Sequence, residues 1–348
     1  MLTRRDFLRL APAPFLLRPA LALAAEGFER IDSHFHIHRD APAVFDSLKA
    51  SGWSGLDLCV CPVAGDEPFD LEAKLDATSK GSRASGGRVA WASTIDARGF
   101  ESKDFTDRAI ARVLRTFDDG AIGVKIWKNI GMSIRGKAGA YLLPDDPALL
   151  PIYEAIQKAG RTLVAHLAEP DGAWLPLDEK NPEFPYYSKN PQWHMLGKGT
   201  PPKEDILKAR DRILATFPKL RVVGCHLGSD EDHLDRLAHR LDTFPNFAVD
   251  TAARTRYFAR GDRGAVIAFL TKYQDRILYA TDYSLRQTDP AAGARALLAD
   301  HDRDIAFYAG EAEMDYEGRP TRGLGLPDAI LRKLFRENAR RWLPGIGV

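Results

Sequence analysis

FERIDSHFH, residues 28–36, is an apolar run that ends in two histidines separated by a single residue. The composition and the alternation of this run predict a β-strand whose carboxyl end carries His34 and His36. Side chains two apart on a strand point to the same side, so either the two histidines or Phe35 faces inward. Two adjacent imidazoles are an unusual lining for a protein interior, which favours a functional site at this strand end.

Seven further apolar runs follow, each separated from the next by a longer stretch with helical periodicity. A strict alternation of strand and helix predicts parallel strands joined by right-handed crossovers. Eight such units predict an α/β fold of the (β/α)8 TIM-barrel type, a single domain with a final helix, 326–344, packed outside the barrel. The predicted later strands are 56–63, 89–95, 123–127, 162–167, 221–227, 247–252 and 277–282.

The first 24 residues are predicted to be a removable export signal, which leaves residues 25–348 as the barrel domain. Thr3-Arg4-Arg5-Asp6-Phe7-Leu8-Arg9 resembles the twin-arginine signal of bacteria, and Ala22-Leu23-Ala24 fits an A-x-A cleavage site. The apolar part is too short and too rich in proline to span a bilayer. We therefore expect a periplasmic protein with no membrane attachment after cleavage.

Composition narrows the class of protein further. The 45% hydrophobic content is typical of a globular protein, and the formal charge of +1 gives no electrostatic case for a nucleic-acid partner. The three cysteines give no disulfide framework. A small-molecule substrate is the expected partner, and the sequence leaves open whether the chain forms a homo-oligomer.

Residues 168–202 form a long segment without periodicity, which contains seven prolines and five aromatic residues. Long irregular segments in compact domains are commonly binding loops or lids. Because this one follows the predicted fifth strand, we expect it to be a lid at the mouth of the barrel, with a solvent-side insertion of no function as the alternative.

Three further polar residues end predicted strands. They are His166 in strand five, His226 in strand six and Asp282 in strand eight. Carboxyl ends of barrel strands meet on one face, where TIM-barrel enzymes carry their active sites. Imidazoles with one carboxylate are a donor set that suits a divalent transition metal.

These residues, in this order along the chain, resemble the strand-end pattern of the amidohydrolase superfamily. The likeness is greatest to the amidohydrolase-related branch, which contains lactonases and aromatic-acid decarboxylases. The resemblance covers nearly all of residues 28–345. It implies that His34, His36, His166 and Asp282 hold one divalent metal, zinc or manganese. It also implies that His226 either touches a second metal or polarises the reacting group of the substrate.

Lys125, at the end of strand four, bears on the metal count. In two-metal members of the superfamily a lysine at this place is carboxylated and bridges the metals, and with His166 and His226 it would complete a two-metal set here. The alternative is a lysine that pairs with Asp282 or with a substrate anion. Since two metals need a bridging ligand whose modification a sequence does not show, we favour one metal.

The predicted chemistry is hydrolysis of a small cyclic ester, an amide or a related carbonyl compound by a metal-activated water. A bound metal lowers the pKa of its water, Asp282 accepts the proton, and His226 donates to the developing oxyanion. The alternative is a metal-dependent decarboxylase of an aromatic or enol acid. A binding protein without activity is disfavoured, because it gains nothing from a metal site with an open position.

Strand-end loops supply the candidate substrate contacts. Arginine suits carboxylate recognition because its fork binds both oxygens, and aromatic faces suit rings. Ordinary loop packing is the competing explanation for each residue taken singly. The predicted contacts are Trp127, Lys128, Trp174, His194, Arg254 and Tyr283.

Overall fold

The computed structural model describes residues 28–347. The predicted export signal, residues 1–24, lies outside this range, as do residues 25–27 and 348. Among the described residues, no helix has the length and apolar character needed to cross a membrane.

The central element is one curled sheet of nine parallel strands, in the order β8-β7-β6-β5-β4-β3-β2-β1-β9. A separate antiparallel hairpin, β10-β11, had no counterpart in the sequence prediction. The strands are β1 (Arg30–His36), β2 (Trp53–Leu58), β3 (Val89–Thr94), β4 (Gly123–Ile126), β5 (Thr162–Ala165), β6 (Arg221–Gly224), β7 (Phe247–Asp250), β8 (Ile277–Leu278), β9 (Tyr283–Ser284), β10 (Glu313–Tyr316) and β11 (Arg319–Arg322).

The two end strands of the sheet, β8 and β9, are consecutive in the chain and separated only by residues 279–282. Between them, the Ser33 amide of β1 donates a hydrogen bond to Tyr279 O over 3.0 Å. Of the predicted eighth strand, 277–282, only Ile277–Leu278 pairs as a strand, with β7, and the short strand β9 on β1 begins just after its predicted end. This α/β fold with a curled parallel sheet agrees with the barrel class predicted from the sequence.

Helices follow the strands in alternation, as predicted. The twenty-residue helix Pro290–Ala309, which follows the last predicted strand, was not predicted. The longer helices are α1 (Pro42–Ala50), α2 (Leu71–Ala84), α3 (Phe105–Asp118), α4 (Leu150–Lys158), α5 (Lys203–Thr216), α6 (Leu234–Thr243), α7 (Thr255–Arg260), α8 (Arg263–Lys272), α9 (Pro290–Ala309), α10 (Asp328–Arg332) and α11 (Asn338–Trp342), the last two joined by the π-helical turn Lys333–Glu337. Shorter helical turns are Asn129–Met132, Asp171–Trp174, Phe184–Tyr187, Pro191–Trp193 and Cys225–Gly228.

The C-terminal helical segment covers the amino ends of the strands, whereas the sequence predicted that it would pack outside the barrel. Its buried Ala339, Trp342 and Leu343 join the apolar cluster inside the sheet. Thr162 Oγ1, at the start of β5, donates to Trp342 O over 2.5 Å. The strand residues of this cluster are Ile31, Leu56, Leu58, Ala92, Val164, Val223, Ala248 and Leu278.

The strands end earlier than predicted on the opposite, carboxyl side. His226 and Asp282 have φ of 59° and 64°, in the left-handed region that interrupts a strand. In β1 the register shifts between Asp32 and Phe35, and Phe35 packs so closely on Gly55 of β2 that any Cβ there would lie 2.1 Å from its ring. This bulge buries Phe35 and directs the two histidines of β1 to the sheet interior.

Candidate metal centre

A cavity of about 630 Å³ opens at the carboxyl ends of the strands, and we call it the outer cavity. A smaller cavity of about 140 Å³, which we call the inner cavity, adjoins it. Both cavities are lined by Lys128, His166, Tyr186 and Asp282. The strand ends therefore converge on one site, as the sequence predicted. The outer cavity is also lined by His36, Ile37, His38, Arg39, Val60, Lys74, Trp127, Asn190, Trp193, Ser284, Leu285 and Arg286.

Three donor atoms meet at the floor of this site. His34 Nε2 lies 3.3 Å from His36 Nε2, and Asp282 Oδ1 lies 3.2 Å from each of them. The Asp282 amide donates to His34 O over 2.9 Å, so the backbone fixes this carboxylate beside β1. His34, His226 and Asp282 also offer ligand atoms that all lie within 4.8 Å of one another.

The neighbours of the two β1 histidines fix the position of their ring protons. His34 Nδ1 lies 2.9 Å from the Asp250 carboxylate, and His36 Nδ1 lies 2.8 Å from Leu58 O. Both oxygens only accept, so each Nδ1 carries a proton, and the neutral form of each ring has its lone pair on Nε2. A proton on His34 or a bound cation relieves the repulsion between these two nitrogens and the Asp282 carboxylate, and Lys125 Nζ also lies 3.4 Å from His34 Nε2.

A second chain of contacts orients His166. His226 Nδ1 donates to Ala252 O over 2.8 Å, and His226 Nε2 lies 3.2 Å from His166 Nδ1. Burial, and then the charge of Arg254, lower the pKa of His226 well below its ordinary value, so the neutral ring accepts from His166 Nδ1–H. His166 Nε2 is left buried without a hydrogen-bond partner. An unpartnered imidazole nitrogen on a ring that His226 orients in this way fits a metal ligand.

The titration of Asp282 and His36 agrees with cation binding. Burial would lower the pKa of His34, but the charges of neighbours that include Asp250 and Asp282 raise it well above its ordinary value, so a metal would take the place of a proton there. Burial alone would raise the pKa of the Asp282 carboxyl, but the His34 and His36 imidazoles hold it well below its usual range. Burial lowers the pKa of His36 to about 4, against the opposing effect of Asp282. A carboxylate and neutral imidazole nitrogens are the forms that bind a metal. His34, His36, His166 and Asp282 therefore fit a divalent cation.

Lys125 lies next to this donor set and is fully buried. Its Nζ lies 2.8 Å from Cys225 Sγ and 3.4 Å from His34 Nε2. The observed partner is therefore Cys225, where the sequence had suggested Asp282 or a substrate anion. A carboxyl group added to Nζ would have to displace these close neighbours, and the two-metal arrangement stays a prediction.

Three cations line the inner cavity, Lys128, Arg254 and Arg256, and each lies beside a carboxylate. The Lys128 ammonium forms a buried ion pair with Glu169, whose other oxygen accepts from Tyr187 OH over 3.1 Å. The Arg254 guanidinium donates to Ala253 O, and its Nε lies 3.5 Å from Glu231 Oε1. Positive charge beside Asp282 suits a substrate that carries an anionic group.

The structure brings three of the six predicted substrate contacts to the site. Trp127 and Lys128 line the outer cavity, and Arg254 lines the inner one. The other three lie elsewhere, because their polar atoms bind the backbone. Trp174 Nε1 donates to Pro201 O, His194 Nε2 lies 2.8 Å from Leu175 O, and Tyr283 OH donates to Gly293 O.

The predicted oxyanion donor, His226, is also placed differently. One ring nitrogen is committed to Ala252 O and the other faces His166, so the ring orients His166 and does not point a proton at the cavity. The positively charged side chains that line the inner cavity with His226 are those of Lys128, Arg254 and Arg256.

Several residues of the site were missed from the sequence. Asp250 ends β7 in Val249-Asp250-Thr251, and the rule that singled out Asp282 at a strand end could have found it. Tyr186, Asn190 and Trp193 enter the outer cavity from the 168–202 segment. No periodic pattern in that segment indicates which of its aromatic residues face inward.

The family of the chain follows from comparison with known proteins. Residues 86–345 match the family model described as amidohydrolase, so the chain belongs to the amidohydrolase family. Members of this family are enzymes, and their activity uses a divalent metal. The matched range begins after β2, so β1 with its two histidines lies outside it. No curated protein sequence matches the chain.

Solved structures share the fold at low sequence identity. A 2,6-dihydroxybenzoate decarboxylase from Rhizobium has 15% identity and a TM-score of 0.53, over 90% of this chain and 98% of that one. A dihydroxybenzoic acid decarboxylase from a Polaromonas species, with bound manganese and the inhibitor 2-nitroresorcinol, has 14% identity and a TM-score of 0.52 over 90% and 96%. The 4-oxalomesaconate hydratase of Rhodopseudomonas palustris has 15% identity and a TM-score of 0.50 over 91% and 96%. At these identities the likeness concerns the fold alone.

Proposed function

We propose that this enzyme is a metal-dependent hydrolase of a small anionic cyclic ester or related carbonyl compound, with one divalent metal, zinc or manganese. The proposal includes a closed (β/α)8 barrel, with the 168–202 segment as its lid and residues 328–342 as the helix at its amino end. Tyr186, Asn190 and Trp193 support the lid assignment, because they line the outer cavity from that segment.

One observation carries the proposal. His34 Nε2, His36 Nε2 and Asp282 Oδ1 converge within 3.3 Å, and the Nδ1 protons of both rings are committed to other acceptors. The Asp282 side chain is 30% exposed toward the cavity, whereas that of His34 is 1% exposed. Asp282 can therefore reach the donor set and the substrate at once.

A divalent cation bound to these residues supplies a Lewis acid that makes water nucleophilic near neutral pH. Asp282, ionised and facing the cavity, accepts the proton of the attacking water and delivers it to the leaving oxygen. Lys128 and Arg254 hold the anionic group of the substrate and stabilise charge on its carbonyl oxygen. Trp127 and Trp193, with ring centroids 5.0 Å apart, form an apolar wall beside it.

The test combines a substrate panel with metal control. Purified protein is stripped with a chelator, reloaded with zinc or manganese, and assayed by acid release on lactones, esters and amides with and without a carboxylate. We expect acid release only from reloaded protein and faster turnover of the carboxylated compounds. Release of CO₂ without acid formation from a hydrolysable bond would contradict the hydrolase assignment.

A decarboxylase of an aromatic or enol acid is the second candidate. The observation that favours it is the inner cavity, where Lys128 and Arg254 adjoin Asp282 and could hold a carboxylate directly at the metal. In that case a metal held by His34, His36, His166 and Asp282 would serve to bind the substrate, and no water would be activated. Measuring CO₂ from aromatic acids with the same reloaded protein distinguishes the two reactions.

We further propose that residues 1–24 direct export through the twin-arginine pathway to the periplasm. The support is the Arg4-Arg5 pair and the Ala22-Leu23-Ala24 site in the sequence. Replacing both arginines by lysine should leave the protein in the cytoplasmic fraction with its leader uncleaved. Periplasmic recovery of that variant would contradict the proposal.

A further inference from the structure

Asp32, two residues before His34, is a fully buried carboxylate beside the metal centre. Its Oδ1 accepts from the His34 amide over 3.2 Å and from the Thr281 amide over 3.1 Å. The register of β1 shifts just after Asp32, and the chain after Thr281 enters the left-handed backbone of Asp282, so regular pairing is interrupted on both sides. One carboxylate oxygen therefore joins two irregular backbone segments, because it gives both of them a hydrogen-bond acceptor.

The two segments that Asp32 joins carry two of the proposed metal ligands. His34 is one of them, and Thr281 immediately precedes Asp282, which is another. The Asp282 amide donates to His34 O over 2.9 Å, and the Asp282 carboxylate lies 3.2 Å from His34 Nε2. A shift of one segment relative to the other would change this second distance, so the orientation of the Asp32 carboxylate sets the geometry of the donor atoms.

The second oxygen of Asp32 is held from helix α9. Asp32 Oδ2 accepts from Thr281 Oγ1 over 2.7 Å and lies 3.0 Å from His301 Nε2. Because a carboxylate only accepts, His301 donates to it through Nε2. The side chains of His301 and Asp32 are both fully buried, so no water competes for this contact.

Core packing alone does not account for a histidine at position 301. Its ring stacks on Trp53 of β2, with centroids 3.8 Å apart and an interplanar angle of 17°. A phenylalanine ring would pack there without a polar atom, whereas His301 Nδ1 is buried with no hydrogen-bond partner among residues 28–347, which costs free energy. His301 lines neither the outer nor the inner cavity, so contact with substrate does not account for it either. What histidine supplies here is the Nε2 donor to Asp32.

We infer that His301 is a positioning residue of the metal centre. It holds the Asp32 carboxylate from α9, and Asp32 in turn holds His34 and Asp282 in the arrangement that binds the cation. The inference rests on the proposed function, and it gives a role in metal binding to a helix that carries no ligand. Partners that orient metal ligands commonly contribute about 10- to 100-fold to metal affinity.

The experiment measures the zinc affinity of the full chain by competition with a chromogenic chelator. His301→Phe keeps an aromatic ring on Trp53 and removes the donor, whereas His301→Gln keeps an N–H donor on a side chain of similar reach. Thr281→Val removes the other donor to the same oxygen of Asp32, and it decides the question if His301→Phe does not fold.

Tyr308→Phe is the matched control. Tyr308 is a buried residue of the same helix, and its hydroxyl lies 3.0 Å from Thr255 Oγ1. This variant loses a buried hydrogen bond that does not involve Asp32, so it should lower stability and leave zinc affinity unchanged. Urea unfolding of the stripped proteins measures stability in parallel and shows which variants are folded.

We expect His301→Phe to weaken zinc binding by about tenfold, and Thr281→Val to weaken it as well. His301→Gln should recover most of the loss. Parental affinity in both His301→Phe and Thr281→Val, no recovery in His301→Gln, or an equal loss in Tyr308→Phe would overturn the inference and leave the proposed metal site intact. Absence of zinc binding by the parent protein would overturn both.

Discussion

The Asp250 carboxylate joins two histidines of the site, since one oxygen lies 2.9 Å from His34 Nδ1 and the other accepts from the His226 amide over 2.7 Å. The side chain is buried, and His34 holds the pKa of this carboxyl below its ordinary value although burial alone would raise it. Asp250 of β7 therefore fixes both the ring of His34 on β1 and the left-handed backbone of His226 after β6.

Asp250→Asn should weaken metal binding, because it replaces an ionised acceptor that orients a ligand ring with a neutral amide. Loss of such a partner costs about 10- to 100-fold in metal affinity. Competition with a chromogenic chelator measures the change. Asp242→Asn, at an exposed ion pair with Lys272, is the control. Equal zinc affinity in the Asp250 variant and the parent would contradict the role assigned to Asp250.

Asp282→Asn should leave the protein folded and remove nearly all turnover, because an amide neither accepts the proton of water nor returns it. Circular dichroism checks the fold, and acid release from the best substrate of the panel checks the activity. A variant that hydrolyses this substrate at the parental rate would exclude Asp282 as the proton carrier.

The sequence predicted the strand-end constellation because barrel topology brings the carboxyl ends of parallel strands together whatever the loops do. His34, His36 and Asp282 obey that rule, and the structure places their donor atoms within 3.3 Å. Asp250 obeys it too and was overlooked. Family membership follows from the comparison of residues 86–345.

The roles of His226, Trp174, His194 and Tyr283 could not be predicted in the same way. Each depends on which backbone oxygen its polar atom meets, and such contacts come from loops without periodicity.

The segment 279–282 was predicted as strand from its apolar residues. In the structure, backbone amides of this segment donate to the side chains of Thr251 and Asp32 and to the backbone oxygen of Leu334. These hydrogen bonds replace the strand-to-strand hydrogen bonds of the sheet there.

Stability should depend on pH through Asp304, a buried carboxyl remote from the metal centre. Burial raises its pKa from 3.8 to about 7, although hydrogen bonds from Tyr316 and Tyr279 oppose the shift. Between these values the folded protein binds the proton more tightly than the unfolded chain. This contribution is therefore complete below pH 3.8 and is lost as the pH rises through 7.

Urea unfolding at pH 5 and pH 8 tests this assignment. The parent should lose stability relative to Asp304→Asn as the pH rises, by up to about 1.4 kcal/mol per pH unit in the window. A constant difference between parent and variant at both pH values would show that Asp304 does not titrate there.

Trp342 tests the role of the C-terminal helical segment. Its side chain is 5% exposed and belongs to the cluster inside the sheet, so Trp342→Ala should lower the free energy of unfolding by about 3–5 kcal/mol. Leu114→Ala, at a side chain 42% exposed on α3, should change it by less than about 0.5 kcal/mol. Similar small effects of both changes would place Trp342 outside the core.

We propose that four residues, His34, His36, His166 and Asp282, bind one divalent cation that is needed for hydrolysis. The most direct measurement titrates zinc or manganese into chelator-stripped protein and follows acid release from a carboxylated lactone. We expect activity that rises linearly and saturates at one equivalent of metal per chain. Full activity in stripped protein, or saturation only at two equivalents, would contradict it.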